Sequence, residues 1–217
     1  MFKNFHKIKN NAGMTLIELL VVLSIFIILT SITIFDYGSF RSSISIKNLA
    51  DDIALSIRKA QSYATGVYSD SNFISGYGVH FTTNTDTTNK LAGSNKSFVI
   101  FNDLPQIDHT YNYFESTCGI GAECNEILNI ITADQISAIY VSDNSTDELV
   151  PNIGSLDISF NRPNPDAYFC YKASANPGKD CDRDNSTISH VEIVLSNDQT
   201  NKTQAITIWN TGQISVQ

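Results

Sequence analysis

The strongest pattern along the chain is an apolar run that begins at residue 14. Between Met14 and Phe35 the only charged side chain is that of Glu18. A helix of about 20 residues extends for roughly 30 Å, which matches the hydrocarbon thickness of a bilayer. The pattern therefore predicts a membrane-spanning helix over about residues 14–35.

The helical period continues beyond this run. Apolar residues recur at spacings of three and four and define one helix face: Ile46, Leu49, Ile53, Ile57, Ala60 and Ala64. The opposite face carries charged residues: Lys47, Asp51, Asp52, Arg58 and Lys59. We predict one long helix over residues 14–66, with Gly66 as its C-terminal cap. Its second half is expected to lie on a β-sheet.

From Val67 onward, apolar and polar positions alternate, which is typical of β-strands. The alternating segments are 77–81, 97–101, 156–160, 167–171 and 191–195, followed by 205–209 and a last short strand with Ile214 and Val216. The first two are joined by a polar loop and predict a hairpin. Two apolar runs, 127–131 and 136–141, fit a strand or a helix equally well. The expected fold class is α+β, with the long helix packed on a mainly antiparallel β-sheet head over residues 67–217.

The order of parts around the apolar run is unusual for an exported protein. A cleaved secretory signal places its small-residue site after the apolar region. Here the small pair Ala12-Gly13 comes before it, and residues 1–10 carry three lysines and no acid. A cut after Gly13 would remove a basic leader, residues 1–13, and would retain the apolar helix with Met14 as its first residue.

The residues after this site, Met14-Thr15-Leu16-Ile17-Glu18, resemble the start of a mature type IV pilin, whose fifth residue is Glu. Shorter stretches look like the GspH/FimT-type minor pseudopilins of that superfamily: 60–64, 77–81, 98–103 and 206–214. The resemblance implies cleavage after Gly13 and N-methylation of Met14. It also implies three kinds of partner, namely a prepilin peptidase, other pilin or pseudopilin subunits, and an inner-membrane assembly platform.

Glu18 requires a physical explanation, because a carboxylate in a membrane helix costs several kcal/mol unless it is paired or reaches the interface. Four residues from the new terminus, it would lie about 6 Å deep. The simpler explanation is a carboxylate that reaches the lipid headgroups. The resemblance implies instead that Glu18 meets the Met14 ammonium of a neighbouring subunit during filament assembly, which would reduce the cost of both charges.

The charge distribution indicates orientation and disfavours one class of partner. The leader carries three of the fourteen basic residues, so processing would leave eleven Lys and Arg against 22 Asp and Glu, a formal charge of −11. Such a surface repels phosphate backbones, and nucleic-acid binding is not expected. Because the lysines precede the span, the leader should stay in the cytoplasm and the head should be extracytoplasmic.

All four cysteines lie on the predicted exported side, where an even count favours disulfides. Four cysteines allow three pairings, and the sequence does not choose between them. We favour the two short loops, Cys118 with Cys124 and Cys170 with Cys181.

Asp180, Asp182 and Asp184 alternate as at the start of a calcium loop and are a weak metal candidate. An EF-hand would need Gly at Asn185 and Glu at Val191, and neither requirement is met. A solvated acidic loop beside a disulfide is therefore the favoured interpretation, and no metal or other cofactor is expected.

The histidines of the predicted head, His80, His109 and His190, lie far apart in sequence, with no His-x-x-x-His spacing and no Gly-x-Ser-x-Gly elbow. We expect them to be structural, so the chain is not expected to be an enzyme and no residue is assigned a catalytic role. Trp209, on the penultimate predicted strand, is expected in the core.

These patterns favour a structural function, namely that of a minor pilin or pseudopilin that helps to start or cap a type IV filament or a type II secretion pseudopilus. A first alternative is a minor pilin of a DNA-uptake filament. A second is a membrane-anchored binding or adhesion protein whose leader is never cut.

Overall fold

A computed structural model describes residues 13–66, 76–103, 109–112, 117–119, 122–143, 149–150, 153–173, 180–182 and 187–217. The chain divides into two compact units, Met1–Arg41 and Ser42–Gln217.

One long helix, α1, spans Leu16–Thr65, which confirms the predicted single helix. Its large apolar side chains between Leu16 and Ile34 are exposed. Among the described residues, α1 is the one helix that is long and apolar enough to cross a membrane.

The second half of α1 buries the face that its period predicted. Ile46, Ile53, Ile57, Ala60 and Ala64 are each at most 2% exposed. Leu49 is only partly buried at the edge of this face. The small side chains near the end of the helix bring its backbone close to the sheets, because alanine occupies little space between packed elements.

The end of α1 is fixed by groups from distant strands. The Gly66 N–H donates to the Ser62 carbonyl at 2.8 Å, as expected for a C-terminal cap. The Arg162 guanidinium donates from Nε to the Ala64 carbonyl at 3.0 Å, and also donates to the Gly66 carbonyl. A cation at this position also compensates the negative end of the helix dipole.

The head contains two antiparallel sheets, whereas the sequence predicted one. The six-stranded sheet has the order β3-β2-β1-β6-β7-β8, and the five-stranded sheet has the order β11-β10-β9-β4-β5. The strands are β1 Gly76–Thr82, β2 Ser97–Asn102, β3 Cys124–Asn129, β4 Asp134–Asp143, β5 Leu149–Val150, β6 Ile153–Asn161, β7 Ala167–Ala173, β8 Asp180–Asp182, β9 Ile188–Asn197, β10 Thr203–Trp209 and β11 Ile214–Val216. A short 3₁₀-helix, Lys90–Ala92, lies in the loop between β1 and β2.

The two ambiguous apolar runs belong to β-structure. The run at 136–141 lies within β4, which pairs along most of its length with β9. The run at 127–131 begins in β3 and continues into a turn, where Ile130 is buried and Ile131 is 95% exposed. Both runs form β-structure because they pair with strands that are distant in sequence, and a local pattern of apolar residues does not reveal such pairing.

The buried carboxylate of Asp134, at the start of β4, connects α1 to the turn before β4 and to the end of β9. Ser45 donates to Asp134 Oδ2 at 2.5 Å, Thr132 donates to the same oxygen at 2.7 Å, and Asn197 donates to Asp134 Oδ1 at 2.6 Å. Burial alone would raise the pKa of this carboxyl. These three hydrogen bonds, with the charge of Lys96, outweigh burial and lower the pKa of Asp134 below its usual value of 3.8.

Candidate functional site

The amino-terminal signal lies at the start of α1 and is exposed. Gly13 and Met14 directly precede the helix, and Thr15 is its N-cap, since its Oγ1 accepts a hydrogen bond from the Glu18 N–H at 3.3 Å. Thr15 and Glu18 therefore have the Thr-x-x-Glu spacing of a capping box. Glu18 also lies in the first turn, where a negative charge is favoured by the helix dipole.

The role of Thr15 as the helix N-cap was not predicted from the sequence, which suggested for Glu18 only a membrane or assembly role. The signal that could have found it is the Thr-x-x-Glu spacing directly before an apolar run, which is typical of a helix start.

Three hydroxyl side chains within the apolar half of α1, those of Ser24, Thr30 and Ser31, form hydrogen bonds within the helix itself. Ser24 donates to the Val21 carbonyl at 2.8 Å, and Ser31 donates to the Ile27 carbonyl at 2.7 Å. Hydroxyls bonded in this way do not present unsatisfied donors to lipid. This surface is therefore apolar apart from Glu18, and it can pack against lipid or against other apolar helices.

Two disulfides are present in the head, Cys118–Cys124 and Cys170–Cys181, with Cα–Cα distances of 4.7 and 4.1 Å. The second joins residues directly opposite each other on β7 and β8.

Asp180 and Asp182 lie beside this disulfide on β8, and Asp184 lies outside the described residues. Among the described residues, no group of three or more His, Cys, Asp or Glu is arranged to hold a metal ion.

Two histidines of the head have polar partners on the same face of the six-stranded sheet, and their expected structural role stays a prediction. His80 lies on β1 on the face opposite to the buried Val79 and Phe81, which we call the outer face, and His109 Nδ1 lies 3.0 Å from Ser159 Oγ on β6. One cross-strand row on this face contains Val99, His80, Asp157, Cys170 and Cys181. Thus the sheet register places a buried histidine directly beside a buried carboxylate.

His80 is held from both sides. Its Nδ1 lies 2.5 Å from Asp157 Oδ1, and its Nε2 lies 3.2 Å from the Ala92 carbonyl oxygen. Both ring nitrogens therefore face oxygen acceptors, and two hydrogen bonds form when both nitrogens carry a proton. Asp157 and Ala92 are 77 and 12 residues from His80 in sequence, so no local motif would have identified them as its partners.

Three buried carboxylates fasten residues 109–112 to the outer face. The N–H of His109 donates to Asp103 at 3.2 Å, that of Tyr111 donates to Asp157 at 3.2 Å, and that of Asn112 donates to Glu123 at 2.8 Å. Hydrogen bonds between a charged group and a backbone amide are stronger than neutral ones. This arrangement positions residues 109–112.

Trp209 is only partly buried, which corrects its expected place in the core. On β10, Ile206 and Ile208 are completely buried. Because successive side chains of a strand point to opposite faces, Trp209 lies on the other face of the sheet. There it lies near His190, with the ring centroids 6.2 Å apart.

The comparisons with known proteins agree with the amino-terminal geometry. A protein-family model described as the prokaryotic N-terminal methylation motif matches residues 8–34. No curated protein and no solved structure matches the chain. The motif and the apolar helix together indicate a single-pass, membrane-anchored protein with a signal of the kind that a prepilin peptidase processes. The chain therefore carries a type IV pilin-like prepilin signal at its amino terminus.

Proposed function

We propose that this chain is a minor pilin or pseudopilin, a structural subunit that helps to start or cap a type IV filament or a type II secretion pseudopilus. The observation that carries the proposal is the order of parts at the amino terminus: the small pair Ala12-Gly13 precedes the apolar helix and lies inside the matched motif at residues 8–34. Cleavage after Gly13 leaves the whole apolar part of α1 in the mature protein, with Glu18 as its single charge. A helix retained in this way serves as a membrane anchor before assembly and as a packing surface afterwards.

The mature terminus supplies a reason for the contact between subunits. Cleavage creates a Met14 ammonium at the N-terminal end of α1, where the helix dipole is already positive. Within one subunit, Glu18 compensates this charge only from one side of the helix. In a bundle of such helices, the carboxylate of a neighbour lowers the energy of the ammonium further, because opposite charges attract strongly where the dielectric constant is low.

The remaining parts of the proposal concern organisation. The proposed organisation is a leader at residues 1–13, a helical segment at 14–66 with its membrane part at about 14–35, and a head at 67–217. Within the helical segment, α1 spans Leu16–Thr65. The three leader lysines support a cytoplasmic amino terminus before processing, and the disulfides support an extracytoplasmic head. The inner-membrane assembly platform would then be a partner during insertion into the filament. The formal charge of −11 after processing disfavours a role in direct DNA binding.

The test is the Glu18→Ala variant. In an isolated subunit in the membrane, Glu18 has no contact with another subunit that the substitution could remove. The variant should therefore be processed, inserted and folded like the wild type. In the filament it leaves a neighbour's ammonium uncompensated at a cost of a few kcal/mol, so it should be absent from sheared filaments. Immunodetection of membrane and filament fractions measures both quantities.

Ser24→Ala is the matched control, because it lies on the same exposed helix and removes only a hydroxyl that bonds within the helix. It should enter filaments at the wild-type level. Wild-type incorporation of Glu18→Ala would refute the assembly role of the carboxylate. A protein that keeps residues 1–13 would favour the uncut anchor instead.

A further inference from the structure

The outer face of the six-stranded sheet opens at one end into a cavity of about 480 Å³. This volume is in the range of small-molecule sites, which are typically about 300–1,000 Å³. The wall is formed by Tyr111 from the fastened segment 109–112, by Ala92 from the 3₁₀-helix and by Ala173 at the end of β7. Three separate parts of the fold therefore enclose the cavity, and nothing in the proposed filament role requires it.

The sheet register places polar groups at two depths in this cavity. Near its lip, Thr82, Ser155 and Lys172 lie side by side on β1, β6 and β7. One row deeper lies His80, which is 4% exposed and also lines the cavity. Its position is fixed by Asp157, its direct neighbour on β6, so the cavity has a rigid polar floor.

The lining has a charge that differs from that of the whole chain. The formal net charge of the protein is −8, but the titratable side chains that we find among the described lining residues are His80, Tyr111 and Lys172, with no carboxylate. Asp157, beside His80 in the same cross-strand row, has Oδ1 at 2.5 Å from His80 Nδ1 and accepts from the Tyr111 N–H with Oδ2. Its charge is thus engaged inside the fold, and the exposed ammonium of Lys172 is the charged group at the opening.

The hydroxyl groups have a defined direction. Thr82 Oγ1 donates to the Gly154 carbonyl at 2.9 Å, and Thr83 Oγ1 donates towards the same carbonyl at 3.3 Å. The Asn84 N–H already donates to Thr82 Oγ1 at 3.2 Å. Since a hydroxyl has one proton and two lone pairs, one lone pair of Thr82 and both of Thr83 are left to accept from a ligand. The cavity therefore combines a cation, acceptors for hydroxyl protons, and apolar surface from Ala92 and Ala173.

We propose that this cavity binds a small hydroxylated carboxylate of the size of a sugar acid. Lys172 pairs with the carboxylate, the oxygens of Thr82 and Thr83 accept from the ligand hydroxyls, and the apolar wall covers the carbon skeleton. This site is independent of filament assembly, since its described residues lie on β1, β6, β7 and their loops, and the assembly contact involves the start of α1.

The experiment is a titration of the processed full chain in detergent micelles, followed by ¹H–¹⁵N correlation spectra. Three probes separate the components of recognition. D-glucuronate carries both the carboxylate and the hydroxyls, D-glucose is its neutral counterpart, and inorganic phosphate is an anion without a carbon skeleton. We expect glucuronate to shift the resonances of Thr82, Ser155 and Lys172, and glucose and phosphate to bind at least about tenfold more weakly.

Lys172→Gln should weaken glucuronate binding by about tenfold or more, because it removes a hydrogen bond between charged groups. Lys172 is exposed, so this variant should retain the wild-type spectrum in the absence of ligand. Lys47→Gln, on the exposed face of α1, makes the same chemical change away from the cavity and should bind like the wild type.

Four results would overturn the proposal. Equal binding of glucose would show that the carboxylate is not recognised, and equal binding of phosphate at the same residues would show a simple anion site. The absence of shifts with glucuronate up to about 20 mM would exclude a site of useful affinity. Unchanged glucuronate binding by Lys172→Gln would also contradict it.

Discussion

The contact between Arg162 and the end of α1 leads to the most quantitative prediction. Arg162 directly follows β6, and its guanidinium donates to the carbonyls of Ala64 and Gly66. Carbonyls in the last turn of a helix have no partner within the helix, and the last turn of α1 contains no basic residue of its own. Arg162 therefore supplies from the sheet both the donors and the positive charge that this helix end requires.

The expected loss for Arg162→Gln follows from these two contacts. Hydrogen bonds that involve a charged group contribute about 1.5–3 kcal/mol each, and the dipole interaction adds about 0.3–1 kcal/mol. The side chain is partly exposed, so water can replace part of both interactions. We therefore expect the free energy of unfolding to fall by about 2 kcal/mol. Arg162→Lys keeps the charge but has no planar fork, so it should lose about half as much.

Urea unfolding of the processed protein in a mild detergent measures this change. Trp209 is the single tryptophan and lies in the head, so its fluorescence reports the unfolding of that part of the chain. Hydrogen exchange adds a local readout, because the amides of residues 62–66 should exchange faster in Arg162→Gln than in the wild type.

The control is Arg58→Gln, which removes the same kind of side chain from the exposed face of α1. A surface change of this kind should alter stability by less than about 0.5 kcal/mol. Equal midpoints for Arg162→Gln and Arg58→Gln, with unchanged exchange at 62–66, would refute the capping argument.

Three further predictions test other parts of the molecule. The intact mass of the exported protein should lack residues 1–13 and should include one methyl group, whereas a mass that retains the leader would exclude the cut after Gly13. The double variant Cys170→Ser/Cys181→Ser should lose about 2–3 kcal/mol of stability in urea unfolding, because the disulfide closes a short loop across 11 positions; an unchanged midpoint would show that the bond restricts the unfolded chain little. Asp134→Asn should destabilise the protein by about 1–3 kcal/mol at pH 7. Because the folded-state pKa of Asp134 is lowered, its ionised form stabilises the fold above pH 3.8, and this contribution disappears as the pH falls through the folded value. The difference between variant and wild type should therefore shrink in acid, and a constant difference would contradict this.

The parts of the fold that the sequence predicted well are those with a local period. The buried face of α1 follows the helical spacing of residues 46–64, and β9 follows the strand period from Val191 to Asn197. The division into two sheets was not predictable in this way. It depends on pairings such as Ile139 with Ile193, between segments that are distant in sequence and similar in composition.

The two candidate sites differ in the same respect. The amino-terminal signal consists of adjacent residues, so charge, small residues and the apolar run identify it without a structure. The pair His80 and Asp157 is separated by 77 residues, and neither residue stands in a recognisable motif. Strand alternation places His80 on the opposite face from Val79 and Phe81, but only the register of β1 with β6 identifies its partner.

The contrast within α1 explains why Glu18 is the informative residue for function. From Ile46 to Ala64 the apolar face is covered by the chain's own sheets, so its burial stabilises the folded head at about 25 cal/mol per Å². Between Leu16 and Ile34 the apolar side chains are exposed among the described residues, and in water they would be strongly unfavourable. Lipid tails and neighbouring apolar helices cover such side chains about equally well, so these residues hardly distinguish the membrane from the filament. A carboxylate does distinguish them, because headgroups and water meet it in the membrane, whereas only an opposite charge compensates it inside a helix bundle.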